Sequence, residues 1–258
     1  MDKKQLENEI IEIAEKAGQI LLHAENPHIY SKEGHANFVT EYDKRIQSYI
    51  FEKLHVLLPQ ASFIGEEKEN DFEDNDGFCF CVDPIDGTSN FIAGYRPSVI
   101  SIALLEDGVP VIGVICNPYT KETFHAVREQ GAFVNGKPIQ SSLKPLSQSL
   151  VVFGTAPYNP EYSEKTFELC RKYLPLCVDL RRSGSAAWDF CCVARGQIGL
   201  FFELKLGIWD FAAGVVIAQE AGCRVTDING DPVRFDGASS IVCASKGVVE
   251  EEYLPERF

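Results

Sequence analysis

Cys81-Val82-Asp83-Pro84-Ile85-Asp86-Gly87-Thr88-Ser89-Asn90-Phe91 runs an apolar segment directly into two carboxylates three residues apart. The run 78–82 is short and apolar and reads as a strand. Pro84 has no N–H to give a sheet ladder, which predicts that the chain turns there. A turn at Pro84 aims Asp83 and Asp86 at one point and leaves the Ile85 carbonyl unpaired beside them. Those are three hard oxygen donors of the kind Mg²⁺ takes, and an oxygen-only set argues against zinc. Gly87 and Thr88 then open a short helix whose free N–H groups and dipole favour an anion by roughly 0.3–1 kcal/mol before hydrogen bonds are counted. A metal site and a phosphate site would lie side by side. Asp-Pro and Asp-Gly are also plain turn dipeptides, so this reading needs support from elsewhere in the chain.

Two further acidic stretches supply it. Gly65-Glu66-Glu67 follows a strand ending at Ile64, and Trp209-Asp210 opens an apolar helix, so each sets an acid where an interior meets the end of an element. Like charges buried together are too costly without cations. If Glu66, Asp83, Asp86 and Asp210 converge, divalent metals are needed to neutralise them. Glu67 by itself reads better as a solvated surface acid.

Around these stretches the chain alternates helix and strand. Leu6, Ile10, Ile13, Ala17, Ile20, Leu21 and Ala24 recur at three and four, the period of an amphipathic helix, which Asn26-Pro27 ends. Tyr42, Ile46, Ile50, Leu54 and Leu57 mark a second helix, stopped by Pro59. Strands are predicted over 62–64, 78–82, 99–105, 109–115 and 123–127, with Asp107-Gly108 turning the middle pair into a hairpin. After the Ser-rich seam 141–149 come a strand at 151–154, a helix at 162–174, a strand at 177–180, a helix at 186–195, a strand at 199–203 and a helix at 209–221. That last helix is apolar nearly all round and therefore buried. The outcome is a mixed α/β chain in two layered halves, 1–145 with most of the acids and 146–258 with Asp210.

Composition narrows the partners. The 258 residues are 45% hydrophobic and 24% charged, values of an ordinary globular chain rather than a disordered or fibrous one. A net charge of −14 repels a phosphate backbone, so nucleic acid is a poor first guess. The N-terminus lacks a signal-peptide apolar core and no apolar run approaches the ~20 residues that span a bilayer, so a cytoplasmic protein without membrane contact is expected. Nine cysteines without a C-x-x-C pair read as reduced, buried thiols.

Gly65-Glu66-Glu67, Asp83-Pro84-Ile85-Asp86-Gly87-Thr88 and Trp209-Asp210-Phe211-Ala212-Ala213-Gly214 together resemble the inositol monophosphatase family of lithium-sensitive, Mg²⁺-dependent phosphatases. The resemblance extends through Asn37-Phe38-Val39-Thr40 with Asp43, Gly131-Ala132-Phe133-Val134-Asn135-Gly136, and Arg182-Ser183-Gly184-Ser185-Ala186-Ala187, and so covers almost the whole chain. It implies a layered αβαβα sandwich of the inositol monophosphatase and fructose-1,6-bisphosphatase type, a homodimer, a small phosphorylated metabolite as substrate, and no covalent enzyme intermediate. Carried over by position, Glu66, Asp83 and the Ile85 carbonyl match the ligands of a first metal, and Asp83, Asp86 and Asp210 those of a second. Glu66 also reaches a third, weaker ion. Mn²⁺ as a substitute for Mg²⁺ and Li⁺ as an inhibitor belong to the same implication. Thr88 would orient the attacking water and pass a proton toward Asp43, since a Thr hydroxyl is a poor base alone but a useful relay to a carboxylate. The N–H groups of Gly87 and Thr88 would hold the phosphate. Glu203, Ser185 and Ala186 fall where the family contacts substrate, the plain alternative for Glu203 being an exposed acid at a strand end. Lys32 matches a loop lysine that offsets charge near the metals, or is simply solvated. Two departures stand out: Asn37 where many relatives carry Asp, and Gly207-Ile208 before Trp209, at the substrate rim.

Rival readings fail on residues. A haloacid-dehalogenase phosphatase needs a nucleophilic Asp two positions before Asp86, and that position is Pro84. Gly131 to Lys137 nearly matches a P-loop, but Pro138 stands where a Ser or Thr must bind Mg²⁺ and Asn135-Gly136 is a hairpin turn. No H-E-x-x-H, G-x-S-x-G or G-x-G-x-x-G occurs. The substrate stays open among inositol phosphate, fructose 1,6-bisphosphate, NADP, histidinol phosphate and 3'-phosphoadenosine 5'-phosphate, the chain length counting somewhat against the nucleotide bisphosphate. A regulatory module that binds RNA or polymerase is the reading from a different class.

Overall fold

The computed structural model describes residues 2–31, 38–67 and 77–249. Among them the first half forms α1 (Lys3–Leu22), β1 (Ile29–Ser31), β2 (Phe38–Thr40), α2 (Glu41–Leu57), β3 (Ser62–Gly65), β4 (Phe78–Asp86), α3 (Thr88–Ala93), β5 (Val99–Glu106), β6 (Val109–Asn117), β7 (Glu122–Val127), β8 (Ala132–Val134) and β9 (Lys137–Ile139). The second forms β10 (Leu150–Phe153), α4 (Ser163–Tyr173), β11 (Asp179–Arg181), α5 (Ala186–Ala194), β12 (Leu200–Leu206), α6 (Ile208–Glu220), β13 (Arg224–Thr226), β14 (Ser239–Ala244) and α7 (Lys246–Val249).

The apolar periods decide which faces close. Leu6, Ile10, Ile13, Ala17 and Leu21 of α1 and Ile46, Ile50 and Leu54 of α2 are buried, and pack on the Phe80, Val82, Ile102, Leu104, Ile112 and Val114 face of a seven-stranded sheet. That sheet runs β3-β4-β5-β6-β7-β8-β9 and is antiparallel except for β3 beside β4. Asp107-Gly108 and Asn135-Gly136 close its hairpins with both residues of each pair at positive φ, as type I′ turns require. A five-stranded sheet, β11-β10-β12-β14-β13, carries the second half. Its outer face packs on Leu169, Cys170 and Tyr173 of α4 and on Val248. Between the two sheets lie α5 and α6, buried along most of their length with Phe190, Phe201, Phe211 and Ile217 in one continuous core. Helices, sheet, helices, sheet, helix make the αβαβα sandwich.

The middle layer fits because its contact points are small. A Cβ added to Gly113 of β6 would lie 2.4 Å from the Ala213 carbonyl oxygen of α6, and one added to Gly214 would lie 2.5 Å from the Phe190 ring of α5. Both elements therefore approach at backbone distance, as only glycine allows.

Several expectations change. The chain does not leave the sheet at Pro84: β4 continues to Asp86, and its register with β5 shifts from Asp83↔Ser101 to Asp86↔Val99, three steps against two. Pro84 sits in a β-bulge, where a missing N–H costs no ladder bond. The first helix ends at Leu22, ahead of Asn26-Pro27, and the strand expected over 199–203 runs on to Leu206. The β1-β2 pair and everything after Ala221 (β13, β14 and α7) were not predicted from the sequence.

Candidate active site

The bulge in β4, the first turns of α3, α5 and α6, and the end of β12 line one cavity of about 440 Å³. Each acid reaches it for a local reason. Asp83 and Asp86 flank the bulge. Asp210 is the third residue of α6 and caps it, its Oδ2 accepting the Gly207 N–H at 2.7 Å. The carboxylates of Asp83, Asp86 and Asp210 offer oxygens within 4.8 Å of one another. One oxygen of each is anchored by the chain. Asp83 Oδ1 accepts the Ile85 N–H at 2.9 Å, and Asp86 Oδ2 accepts Ser185 Oγ at 2.8 Å and the Ala187 N–H at 2.6 Å. Such bonds fix the rotamer and direct the remaining oxygen, the usual support behind a metal ligand.

Electrostatics describes the same cluster. Burial, then Glu66, Asp86 and Asp210, pushes the Asp83 carboxyl well above its ordinary range. Burial, then Asp86 and Glu66, does the same to Asp210. Burial lifts Asp86 to about 6 against the bonds from Ser185 and the α5 backbone. These are hard oxygen donors, desolvated and mutually repelling, and a divalent cation is the group that fits them. Glu66, half-buried after β3, lines the cavity with them; Glu67 does not line it, and its N–H is held by Gln47 Oε1 at 3.1 Å.

Beside the acids sits a second unit. Thr88 Oγ1 lies 2.9 Å from Asp43 Oδ1 and 3.0 Å from the Ile85 carbonyl oxygen. The sequence reading left that carbonyl unpaired, whereas here it shares the single Thr88 hydroxyl hydrogen with Asp43 and keeps lone-pair capacity for another partner. Asp43 is fully buried and has both oxygens engaged, since Oδ2 accepts the Thr40 N–H at 2.7 Å and Thr40 Oγ1 at 2.6 Å. It closes a capping box on α2 and buttresses Thr88 in one act. Burial raises its pKa, the Thr bonds working against that rise. Gly87 at φ 92 turns the chain from the bulge into α3.

Glu203 is not an exposed acid at a strand end. It is buried in β12 with Oε1 accepting the Ala156 N–H at 2.9 Å, and burial above all pushes it to about 7. A Cβ on Gly154 would overlap it at 1.9 Å, so that glycine makes its room. Ser185 and Ala186, at the start of α5, line the cavity, and the Ser185 hydroxyl is committed to Asp86. Lys32 and Asn37 lie outside the described residues.

Sequence reasoning missed Asp189, Asn90, Arg182, Tyr158 and Lys205. Asp189 is buried at the cavity wall, its carboxyl pushed well above the ordinary range by burial first; a lone acid in the apolar run 186–194 was the available signal. Asn90 Nδ2 donates to the Pro97 carbonyl at 2.7 Å and the Ser183 carbonyl at 3.0 Å, tying α3 to the loop before α5. Tyr158 enters from the loop after β10, and burial, then the field of the acids, raises its pKa.

Known proteins match this architecture. The description "Inositol monophosphatase family" fits residues 2–257. Inositol monophosphatase 2 of Solanum lycopersicum is 38% identical over 95% of this chain and 94% of its own length. The Nus factor SuhB of Salmonella typhimurium is 34% identical over 85% of this chain and 84% of its own. The solved inositol monophosphatase of Anabaena (Nostoc) sp. superposes with a TM-score of 0.83 at 30% identity, covering 96% of this chain and 93% of that one. With the acids at the end of β4 and the head of α6, and the Thr88–Asp43 pair between them, the chain belongs to the inositol monophosphatase family of metal-dependent phosphatases, hydrolases of phosphate monoesters.

Proposed function

We propose that the protein hydrolyses inositol monophosphate or a closely related phosphorylated polyol with Mg²⁺. The observation that carries this reading is the meeting of Asp83, Asp86 and Asp210 beside Thr88 and Asp43. Glu66, Asp83 and the Ile85 carbonyl would hold one ion and Asp83, Asp86 and Asp210 a second, with Glu66 serving a third, weaker one; Mn²⁺ would substitute and Li⁺ inhibit. Bound there, the ions neutralise phosphate charge and make water more acidic. The Thr88 hydroxyl orients the attacking water, and Asp43, whose pKa burial raises, takes up the proton that Thr88 relays. Backbone N–H groups of Gly87 and Thr88 bind the phosphate oxygens. Glu203, with one oxygen held by Ala156, keeps the other for a substrate hydroxyl, and Ser185 and Ala186 border the polyol.

Phosphate release with Mg²⁺ from inositol 1-phosphate, fructose 1,6-bisphosphate, NADP, histidinol phosphate and 3'-phosphoadenosine 5'-phosphate tests this, with Asp83→Asn as control. Preference for inositol 1-phosphate with a dead control is the expected outcome; preference for another member reassigns the substrate, and no release from folded wild type moves the RNA- or polymerase-associated module to first place.

A cytoplasmic homodimer completes the proposal. Among the described residues no helix is long and apolar enough to cross a membrane, and all nine cysteines are free; sedimentation of the purified protein tests the dimer. We also propose 1–145 and 146–258 as its two structural halves, one supplying the seven-stranded sheet and the other the five-stranded sheet, testable by expressing each alone.

A further inference from the structure

Six acids line the cavity, Glu66, Asp83, Asp86, Asp189, Glu203 and Asp210, and the cations among the described lining residues are Arg182 and Lys205. Arg182 is exposed and tied at its Nε. Its Nε donates to Thr155 Oγ1 at 3.2 Å, and its charge acts on Asp189 and Glu203. Lys205 is half-buried and makes no hydrogen bond or ion pair with any described residue. An ammonium drawn partly out of water beside so many carboxylates, yet paired with none, is a charge left available to a ligand.

The local backbone explains why it faces the cavity. On β12, Phe202 and Leu204 pack toward α4, while Phe201 packs toward α5 and α6 and Glu203 lines the cavity. The register with β14 then shifts from Glu203↔Ile241 to Leu206↔Ser239, three steps against two. This second bulge lets Lys205 line the cavity next to Glu203 while Leu206 also turns to the middle core. Gly207 follows, and a Cβ there would lie 2.6 Å from the Trp209 ring, so the ring folds over it. Lys205 is therefore the long polar side chain on this stretch of wall, two residues from an acid whose one oxygen is already held by Ala156.

We propose that Lys205 forms an anion subsite for the leaving group, so that a phosphate monoester whose alcohol carries a second anionic group, phosphate or carboxylate, together with a hydroxyl for Glu203, is cleaved more efficiently than its counterpart lacking that anion. This rests on the phosphatase reading above and extends it. Water cleaves the ester P–O bond, ROPO₃²⁻ + H₂O → ROH + HPO₄²⁻, and the second anion leaves unchanged. Without Lys205 that anion would meet six acids with Arg182 as the one remaining cation among the described lining residues.

The test compares kcat/KM with Mg²⁺ for two matched pairs: 2-phosphoglycerate against glycerol 2-phosphate, and fructose 1,6-bisphosphate against fructose 1-phosphate. Wild type, Lys205→Met and Lys205→Arg are measured, with thermal unfolding to show that each variant folds. In wild type the ratio of charged to uncharged member exceeds that in Lys205→Met by about 10- to 100-fold, mainly through KM, and Lys205→Arg recovers most of it. Collapse in one pair alone supports the subsite and names its anion. Equal ratios in wild type and Lys205→Met overturn the subsite and leave the phosphatase standing, since a lysine that only offsets the acids would move both members alike. No phosphate from any of the four by a wild type that releases it from inositol 1-phosphate overturns the subsite, and no phosphate from inositol 1-phosphate either overturns the phosphatase reading itself.

Discussion

Glu7 and Asp83 are both buried carboxylates, and the chain treats them in opposite ways. Glu7, on α1, lies 2.8 Å from His125 Nδ1 through Oε1 and 2.5 Å from Lys4 Nζ through Oε2. Burial pushes its pKa up, but these partners outweigh burial and leave it below the ordinary value. Asp83 has one backbone N–H and three acids for company, and everything but that N–H pushes its pKa up. The first acid is neutralised by its own chain. The second is neutralised only by something that arrives from solution. Pairing, rather than burial, separates an acid that serves the fold from one that serves chemistry.

Asp83→Asn should have the largest effect. Phosphate release falls by about 10³-fold or more, yet the metal-free variant melts above metal-free wild type, because one of several crowded charges is gone. A lower melting point would show that Asp83 is paired after all. Thr88→Val probes the intermediate case, Asp43, whose partners are all uncharged; turnover drops by about 10²-fold with little loss of metal affinity measured by calorimetry.

Glu203→Gln sharpens the contrast through pH. Its folded pKa of about 7 lies above the ordinary 4.5, so the metal-free wild type holds this contribution in full below about pH 4.5 and loses it as pH rises through 7. The Gln variant should therefore gain on the order of 2–3 kcal/mol over wild type at pH 8 and almost nothing at pH 4.5, read from urea unfolding. A gain independent of pH would exclude titration of Glu203 as its source. The smallest effect is expected of Glu7→Gln, a loss of about 2 kcal/mol with turnover per folded molecule retained. Its sign in pH is the reverse: the wild-type advantage is present above the ordinary Glu value and fades as pH falls through the lowered one. If this variant lost turnover as severely as Asp83→Asn, the division between the two acids would collapse.

Much of this was legible in the sequence wherever a period or a sharp boundary existed. The three-and-four spacing gave α1 and α2, the apolar runs gave five strands of the seven-stranded sheet, β3 to β7, and an all-round apolar stretch announced that α6 is buried. The acids of the site were visible because each interrupts an apolar run at its end. The Pro84 expectation failed because a rule about ladders does not hold inside a bulge. β13 spans three residues and β14 opens on Ser239-Ser240, too little for a period to register, although β14 pairs with strands on both sides. Tyr158 and Arg182 join the site from separate loops and Asp189 from α5, a meeting that local pattern does not encode.

Gly113 never meets the cavity, yet the Ala213 carbonyl rests against it, and Ala213 stands three residues along α6 from Asp210. The absent methyl is thus a spacer that sets how far the head of α6 stands from the strand layer carrying Asp83 and Asp86. Tolerance to mutation at this position is governed by ångström-scale alignment of ligands, not by hydrophobicity, and a screen for altered ion preference would search the dry seam between layers as profitably as the mouth of the site.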